Sequence, residues 1–224
     1  RGREGQVLTQ TDERGRAFSR IERPPTAGDT LELTIDTYLQ HIAERELRAA
    51  VRANDAHGGT IVMLDPETGE VLALANEPTF NPNVFARSPA SHRRNRAVQD
   101  IYEPGSAFKV VTASAALEEN VVKPDDLIDV SAGMIRFGAR RIEDDHRYGT
   151  LSFADVIVKS SNVGVIKIGL RLGPERLERY VHRFGFGQAL SRDFPGQSRG
   201  LVHDLSRLDD SALASVAMGY QIGV

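Results

Sequence analysis

The 224-residue chain contains no cysteine. That excludes disulfides, Cys-ligated zinc and thiol catalysis together. It has no excess of basic charge, with 28 Lys and Arg against 31 Asp and Glu and a net charge of −3. No basic face is implied, so nucleic acid is not an expected partner. Long apolar runs are missing too: none reaches the ~18 residues of a membrane span. The six His residues fall at no metal-binding spacing, and His-x-x-x-His does not occur. They read as surface or capping side chains, with no metal or organic cofactor expected. The opening Arg1-Gly2-Arg3-Glu4-Gly5 has neither an initiating Met nor an apolar leader. The other end, Met218 to Val224, stops in an apolar stretch. Both ends read as cuts through a longer protein.

What is present suits an ordinary globular chain, 40% hydrophobic and 26% charged. Its length allows one large domain or two small ones. Residues 1 to 30 are polar, with candidate strand pieces such as Gln6-Val7-Leu8-Thr9, and Pro24-Pro25 followed by Gly28-Asp29 reads as a connector. Leu31 to Ile35 alternates like a half-buried strand. Asp36 and Thr37 offer helix N-caps, Thr37 with Gln40 fits a capping box, and the apolar residues from Leu39 to Val51 recur at helical steps. Thr60–Asp65 and Glu70–Ala75 flank Pro66-Glu67-Thr68-Gly69 as a hairpin. Both runs are nearly all apolar, which predicts helices over both faces. The stretch from Asn76 to Arg96 is loop-like, and residues 121–150 read as short strands and loops. Helices are expected over 106–119, 152–159, 163–172, 174–184 and 211–220.

Chemistry concentrates at Tyr102-Glu103-Pro104-Gly105-Ser106-Ala107-Phe108-Lys109 and at Lys159-Ser160-Ser161-Asn162. A serine hydroxyl needs a group that takes its proton. Residues three apart share one helix face, so Ser106 and Lys109 are within reach of each other. Burial lowers a lysine pKa and makes it a usable base, and Phe108, Val110 and Val111 are the expected apolar wall. A helix start also favours developing negative charge and leaves N–H groups free for an oxyanion. Ser-x-x-Lys alone is weak, since Ser is a common N-cap and Lys a common solvated charge. The chain has only one Ser-x-x-Lys and only one Ser-x-Asn, and their order and separation make the pair far more specific. Smaller features read blandly: Asp144-Asp145-His146 as a solvated turn, Arg93-Arg94 with Arg96 as a charged face, and Gly185-Phe186-Gly187 as a helix C-cap and turn.

With these motifs the chain resembles the transpeptidase domain of class B penicillin-binding proteins. The likeness extends to Leu33-Thr34-Ile35-Asp36, Asp65 through Ala73, Asn95-Arg96-Ala97, Glu103 through Ser106, Ser160 through Gly164 and Met218-Gly219-Tyr220. It implies an α+β fold of the penicillin-binding protein and β-lactamase type, an antiparallel sheet flanked by helices. Residues 1–30 would be the remnant of a non-catalytic module and 31–224 the transpeptidase domain. By this resemblance Ser106 is the acylated nucleophile, Lys109 its proton acceptor, Ser160 a relay toward the leaving amine and Asn162 the holder of the substrate amide. The implied substrate is a peptidoglycan stem peptide ending in D-Ala-D-Ala, with β-lactams as covalent inhibitors and D-Ala-D-Ala carboxypeptidase action as a side activity. Implied partners are division or elongation proteins, a glycan polymerase among them. The implied setting is the outer side of the bacterial cytoplasmic membrane, held by an N-terminal anchor outside this chain. No Lys-Thr-Gly or Lys-Ser-Gly occurs; the family carries it on a strand further along. The expectation is therefore a domain whose C-terminal strands are missing and which is inactive alone. A class D β-lactamase or β-lactam sensor shares Ser-x-x-Lys but typically has an apolar residue where Asn162 stands. A non-catalytic scaffold module is the remaining alternative.

Overall fold

A computed structural model describes residues 2–190 and 196–224 of the chain. They fall into two compact units, residues 1–78 and 79–224. In the first unit, β1 (Gln6–Thr11) pairs antiparallel with β2 (Ala17–Arg23). Helix α1 (Thr37–Ala53) follows, then β3 (Gly59–Leu64) and β4 (Val71–Glu77) as an antiparallel hairpin.

The hairpin turn is built by Asp65. Its carboxylate accepts from the N–H groups of Glu67 (2.8 Å) and Thr68 (3.0 Å), and Gly69 takes the left-handed conformation at φ 76° that closes it. Asp36, not Thr37, caps α1, accepting from the N–H groups of Tyr38 and Leu39 at 2.8 and 2.9 Å. Gln40 makes no capping box. Its amide docks on the β4 backbone instead, donating to the Leu74 carbonyl (3.0 Å) and accepting from the Leu74 N–H (2.8 Å). Two further expectations change here. Residues 31–35 form no strand: the segment reaches β4 only through Thr34 Oγ1 to the Val71 carbonyl (2.6 Å), with the Asp36 N–H bonding Leu72 next to it (2.9 Å). Two isolated bonds do not make a ladder. Nor is the hairpin covered on both faces within this unit. Ala73 and Ala75 are buried against Ala43 and Leu47 of α1, with Ile61 and Met63 packed beside them, while Val62 and Leu64 are exposed. Strand alternation sends successive side chains to opposite faces whatever their hydrophobicity, and α1 covers one of them.

The second unit is mainly helical. Helix α2 (Arg96–Gln99) precedes a 3₁₀ turn, Gly105–Phe108, that runs directly into α3 (Lys109–Glu118). Two short antiparallel ladders follow. One joins β5 (Leu127–Asp129) to β8 (Thr150–Ser152), and the other joins β6 (Met134–Phe137) to β7 (Arg140–Glu143). Then come α4 (Phe153–Val158), α5 (Asn162–Leu172), α6 (Pro174–Arg183) and α7 (Asp210–Ala217). The expected antiparallel pairing with flanking helices is present, divided among the described residues into four two-stranded ladders.

Helix α5 is the axis of this unit, with Val163, Val165, Ile166 and Ile168 fully buried. Its glycines set how closely neighbours approach. A Cβ on Gly164 would lie 2.6 Å from Val156 of α4, and one on Gly169 would lie 2.6 Å from the Ala217 Cβ of α7. Buried Thr112 of α3 donates to the Ala217 carbonyl at 2.9 Å, tying α3 to the end of α7. The Gly185-Phe186-Gly187 reading holds: Phe184 caps α6, Gly185 follows at φ 86°, and Phe186 packs its ring against Phe108 with centroids 5.4 Å apart.

Candidate active site

Ser106 sits in the 3₁₀ turn, exposed, with Lys109 at its end; the Lys109 N–H bonds the Ser106 carbonyl. In a 3₁₀ helix residues three apart eclipse one another. The Ser-x-x-Lys spacing thus places the two residues on one edge of the turn, with Ser106 exposed, Lys109 buried and, among the described residues, no hydrogen bond between their side chains. Gly105 enters the turn at φ 57°, and its N–H donates to the Gly219 carbonyl (2.9 Å) just past α7. Among the described residues, no hydrogen bond engages the Ser106 hydroxyl.

Lys109 is 3% exposed. Its ammonium donates to the Ser160 carbonyl (2.6 Å), to Ser160 Oγ (3.0 Å) and to Asn162 Oδ1 (2.7 Å). All three of its donors are thereby used. Burial pushes the Lys109 pKa below the ordinary lysine value, against the opposing pull of the Asp144 and Asp145 charges. The expected apolar wall is only partly right. Phe108 and Val111 are buried, but Val110 is exposed.

Ser160 and Asn162 come from the corner between α4 and α5. Ser160 adopts φ 53°, a left-handed conformation costly for a non-glycine residue. Ser161 caps α5, accepting from the Gly164 N–H at 2.9 Å and donating its hydroxyl hydrogen to Asp144 Oδ2 at 2.8 Å. Asp144 Oδ1 accepts from the Val163 N–H (3.0 Å), and Asn162 Nδ2 donates to the Glu143 carbonyl (2.9 Å). Asp144 is therefore not a solvated turn residue. It clamps the corner, and no spacing rule in the sequence pointed to it. The charged-face reading of the arginines also changes, because Arg94 and Arg96 both pair with Asp100, Arg96 at 2.8 Å.

Lys109, Ser160 and Asn162 are thus brought into hydrogen-bond contact, and Ser106 shares the turn that presents Lys109. The arrangement holds a buried amine beside one hydroxyl that can donate as well as accept, Ser160, and carries a second hydroxyl, Ser106, on the same turn as the amine. That is equipment for proton transfer to and from a serine nucleophile.

Gly219 was legible only as part of the family-like Met218-Gly219-Tyr220, yet it braces the turn that carries Ser106. It stands at φ 87°, and a Cβ there would lie 2.1 Å from the Gly105 carbonyl oxygen and 2.7 Å from the Phe108 Cβ. Gly219→Ala is expected to destabilise the protein by about 2–4 kcal/mol, combining the left-handed penalty with overpacking. Thermal denaturation would check this, and an unchanged midpoint would contradict the close approach.

A family model described as the penicillin binding protein transpeptidase domain matches residues 59–224. Over 224 residues the chain is 36% identical to a peptidoglycan D,D-transpeptidase, FtsI, of Escherichia coli K12, covering 100% of this chain and 38% of that protein. A crystal structure described as a peptidoglycan glycosyltransferase from Burkholderia ambifaria superposes with a TM-score of 0.77 at 36% identity, covering 86% of this chain and 57% of the other. The apo transpeptidase domain of Burkholderia pseudomallei penicillin-binding protein 3 gives 0.76 at 34% identity, covering 86% and 54%. The chain spans 38–56% of the length of curated relatives such as FtsI and a Neisseria flavescens PenA.

Proposed function

Because the chain belongs to the penicillin-binding protein transpeptidase family, we propose that it forms the acyl-transfer site of a peptidoglycan D,D-transpeptidase, with Ser106 as nucleophile. The observation that carries this reading is the convergence on buried Lys109 of Ser160 and Asn162, 51 and 53 residues away in sequence.

The chemistry follows from the donor count. A neutral Lys109 has two N–H donors and one lone pair. The Ser160 carbonyl and Asn162 Oδ1 can only accept, so they keep the two donors. The lone pair is then free for an O–H, and the hydroxyls at hand are Ser160, already at 3.0 Å, and Ser106 on the same turn. Lys109 takes the Ser106 proton as Oγ bonds to the carbonyl carbon of the penultimate D-Ala. The bond to the terminal D-Ala nitrogen breaks, and that nitrogen receives the proton by way of Ser160. An ester on Ser106 results. The amine of a neighbouring stem peptide attacks it, the ester C–O bond breaks, and the proton that the attacking amine gives up passes to Ser106 Oγ. Water in place of the amine gives the carboxypeptidase side reaction. A β-lactam opens its ring amide by the same first step, and its amine stays tethered. The Ser106 N–H, at the start of the turn, is one of the groups a helix start leaves unpaired, and it is suited to the oxyanion. Asn162 spends one Oδ1 lone pair on Lys109 and one Nδ2 hydrogen on the Glu143 carbonyl, which leaves a second lone pair and a second N–H for a substrate amide.

The same reading carries the domain division at residue 30, the partners of division or elongation, and a setting on the outer face of the cytoplasmic membrane. Among the described residues no helix is long and apolar enough to cross a membrane. The test is peptide mass spectrometry of the full-length protein after incubation with benzylpenicillin. One adduct per chain, on the peptide containing Ser106, is expected. No adduct, or an adduct at another residue, would overturn the reading.

A further inference from the structure

Asp144 stands outside the four residues assigned to the chemistry, yet its carboxylate, like the Lys109 ammonium, bonds two members of the α4–α5 corner. Oδ2 accepts the Ser161 hydroxyl hydrogen and Oδ1 accepts the Val163 N–H. The residues it grips alternate with those that face the lysine: Ser160 and Asn162 bond Lys109, while Ser161 and Val163 are buried. The backbone of the corner is thus held from one side by Asp144 and read from the other by Lys109. Ser160 needs such a hold. Its left-handed conformation, φ 53°, is costly for serine and persists only where neighbouring bonds over-determine it. The preceding residue, Glu143, adds a third tie through its carbonyl to Asn162 Nδ2.

We propose that Asp144 is a positioning residue for acylation of Ser106, its carboxylate holding the Ser160–Asn162 corner in register with Lys109 while its negative charge stabilises the Lys109 ammonium. The inference rests on the transpeptidase reading above and adds to it a residue that sets when Lys109 is free to act as a base. Two functions meet in one group. The bonds keep the acceptors of Lys109 in place. The charge opposes the effect of burial and so keeps the lysine protonated to higher pH than burial alone would.

The charged groups around Lys109 come from few elements. Asp144 and Asp145, in the loop after β7, both favour its charged form. Lys159, at the end of α4, lies over the Tyr148 ring, 5.7 Å from its centroid, with His146 edge-on to the same ring. The corner itself and α5 present Ser160 and Asn162, both uncharged. Asp145 is exposed and makes no hydrogen bond among the described residues, so it shares the charge effect without the clamp.

Asp144→Asn separates the two roles. The amide is nearly isosteric, its Oδ1 can still accept from Val163 N–H, and its Nδ2 can donate to Ser161 Oγ. The charge is gone. Asp144→Ala removes charge and clamp together. The measurement is the second-order rate of Ser106 acylation by a fluorescent penicillin, from pH 5 to 10, in the full-length protein. A neutral lysine is the active base, so the rate rises as pH passes its pKa. Removing a neighbouring negative charge lowers that pKa. The acid limb of Asp144→Asn is therefore expected to move to lower pH. Asp144→Ala is expected to lower the plateau rate by about ten- to a hundredfold as well, the size of effect that follows from loosening an aligned catalytic geometry. The position of a pH limb does not depend on the fraction of folded protein, so partial unfolding of a variant leaves the test intact. An acid limb for Asp144→Asn that stays where the wild type has it, or moves to higher pH, would overturn the proposal. So would a wild-type plateau for Asp144→Ala. Absence of acylation in the wild-type protein would instead overturn the transpeptidase reading itself.

Discussion

Ser106→Ala is expected to abolish covalent labelling by penicillin completely while leaving the fold unaltered. The side chain is exposed, and among the described residues its hydroxyl makes no hydrogen bond. Removing it opens no cavity and orphans no partner, so stability should change by no more than about 0.5 kcal/mol, as for other surface substitutions. Under the proposed mechanism the covalent bond forms at the deleted atom, so the loss of labelling should be total. Alanine also suits the turn, since Ser106 is not among the residues with positive φ. Intact-protein mass after benzylpenicillin and a thermal melt, run side by side, check both halves. An adduct that survives in the variant would place the nucleophile elsewhere. A melt that falls by many degrees would show that Ser106 has a structural duty the geometry does not reveal.

Lys109→Met is expected to slow acylation by about 10²–10⁴-fold, the usual contribution of a positioned general base. Here the stability argument is less simple, because two effects oppose each other. Methionine fills the buried stem and removes a charge that burial penalises. It also strips the donor from the Ser160 carbonyl and from Asn162 Oδ1, and each orphaned acceptor costs about 1–3 kcal/mol where it stays dry. The net change is a small difference between these, so the activity loss should far exceed what any change in folded fraction explains. Lys109→Arg sharpens the test. Arginine keeps a positive charge and can donate to the same acceptors, but it does not release a proton at any working pH. If Lys109 serves as the base, Arg is as inactive as Met. If it serves only as a fixed positive charge, Arg retains a large part of the rate. Stopped-flow acylation of the three proteins at one pH distinguishes the outcomes, and near-wild-type acylation by either variant would remove Lys109 from the role of base.

These expectations share a structural root. The turn that carries Ser106 is held by two contacts: the backbone of Gly105 against Gly219, where a side chain on Gly219 would not fit, and the Thr112 hydroxyl of α3 against the Ala217 carbonyl at the end of α7. The lysine is then aimed, with all three donors satisfied, at a corner clamped from behind by Asp144. Rigid presentation of a buried amine is what a serine nucleophile without a histidine requires.

Much of this architecture was legible in the sequence because it is local. The hairpin turn at Asp65–Gly69 is closed by bonds that span two to four residues. The helices at 109–118, 162–172 and 174–183 follow from the apolar residues each contains, with Ser161 capping the second and Pro174 opening the third. Ser106 and Lys109 are three apart, so their relation is a property of one turn. The tertiary structure decided what lay beyond such distances. An apolar residue does not announce whether its face of a strand is covered, so Val62 and Leu64 looked as buried as Ile61 and Met63. Gln40 offered a plausible cap but found the β4 backbone a better partner. Asp144 looked like any acidic loop residue until α5 came to rest beside it, 17 to 19 residues along the chain. The Lys109 partners lie more than fifty residues away. Short-range bonding and periodicity are written in neighbouring residues, whereas the desolvation of a charge, and the acceptors that compensate it, exist only once distant segments have packed together.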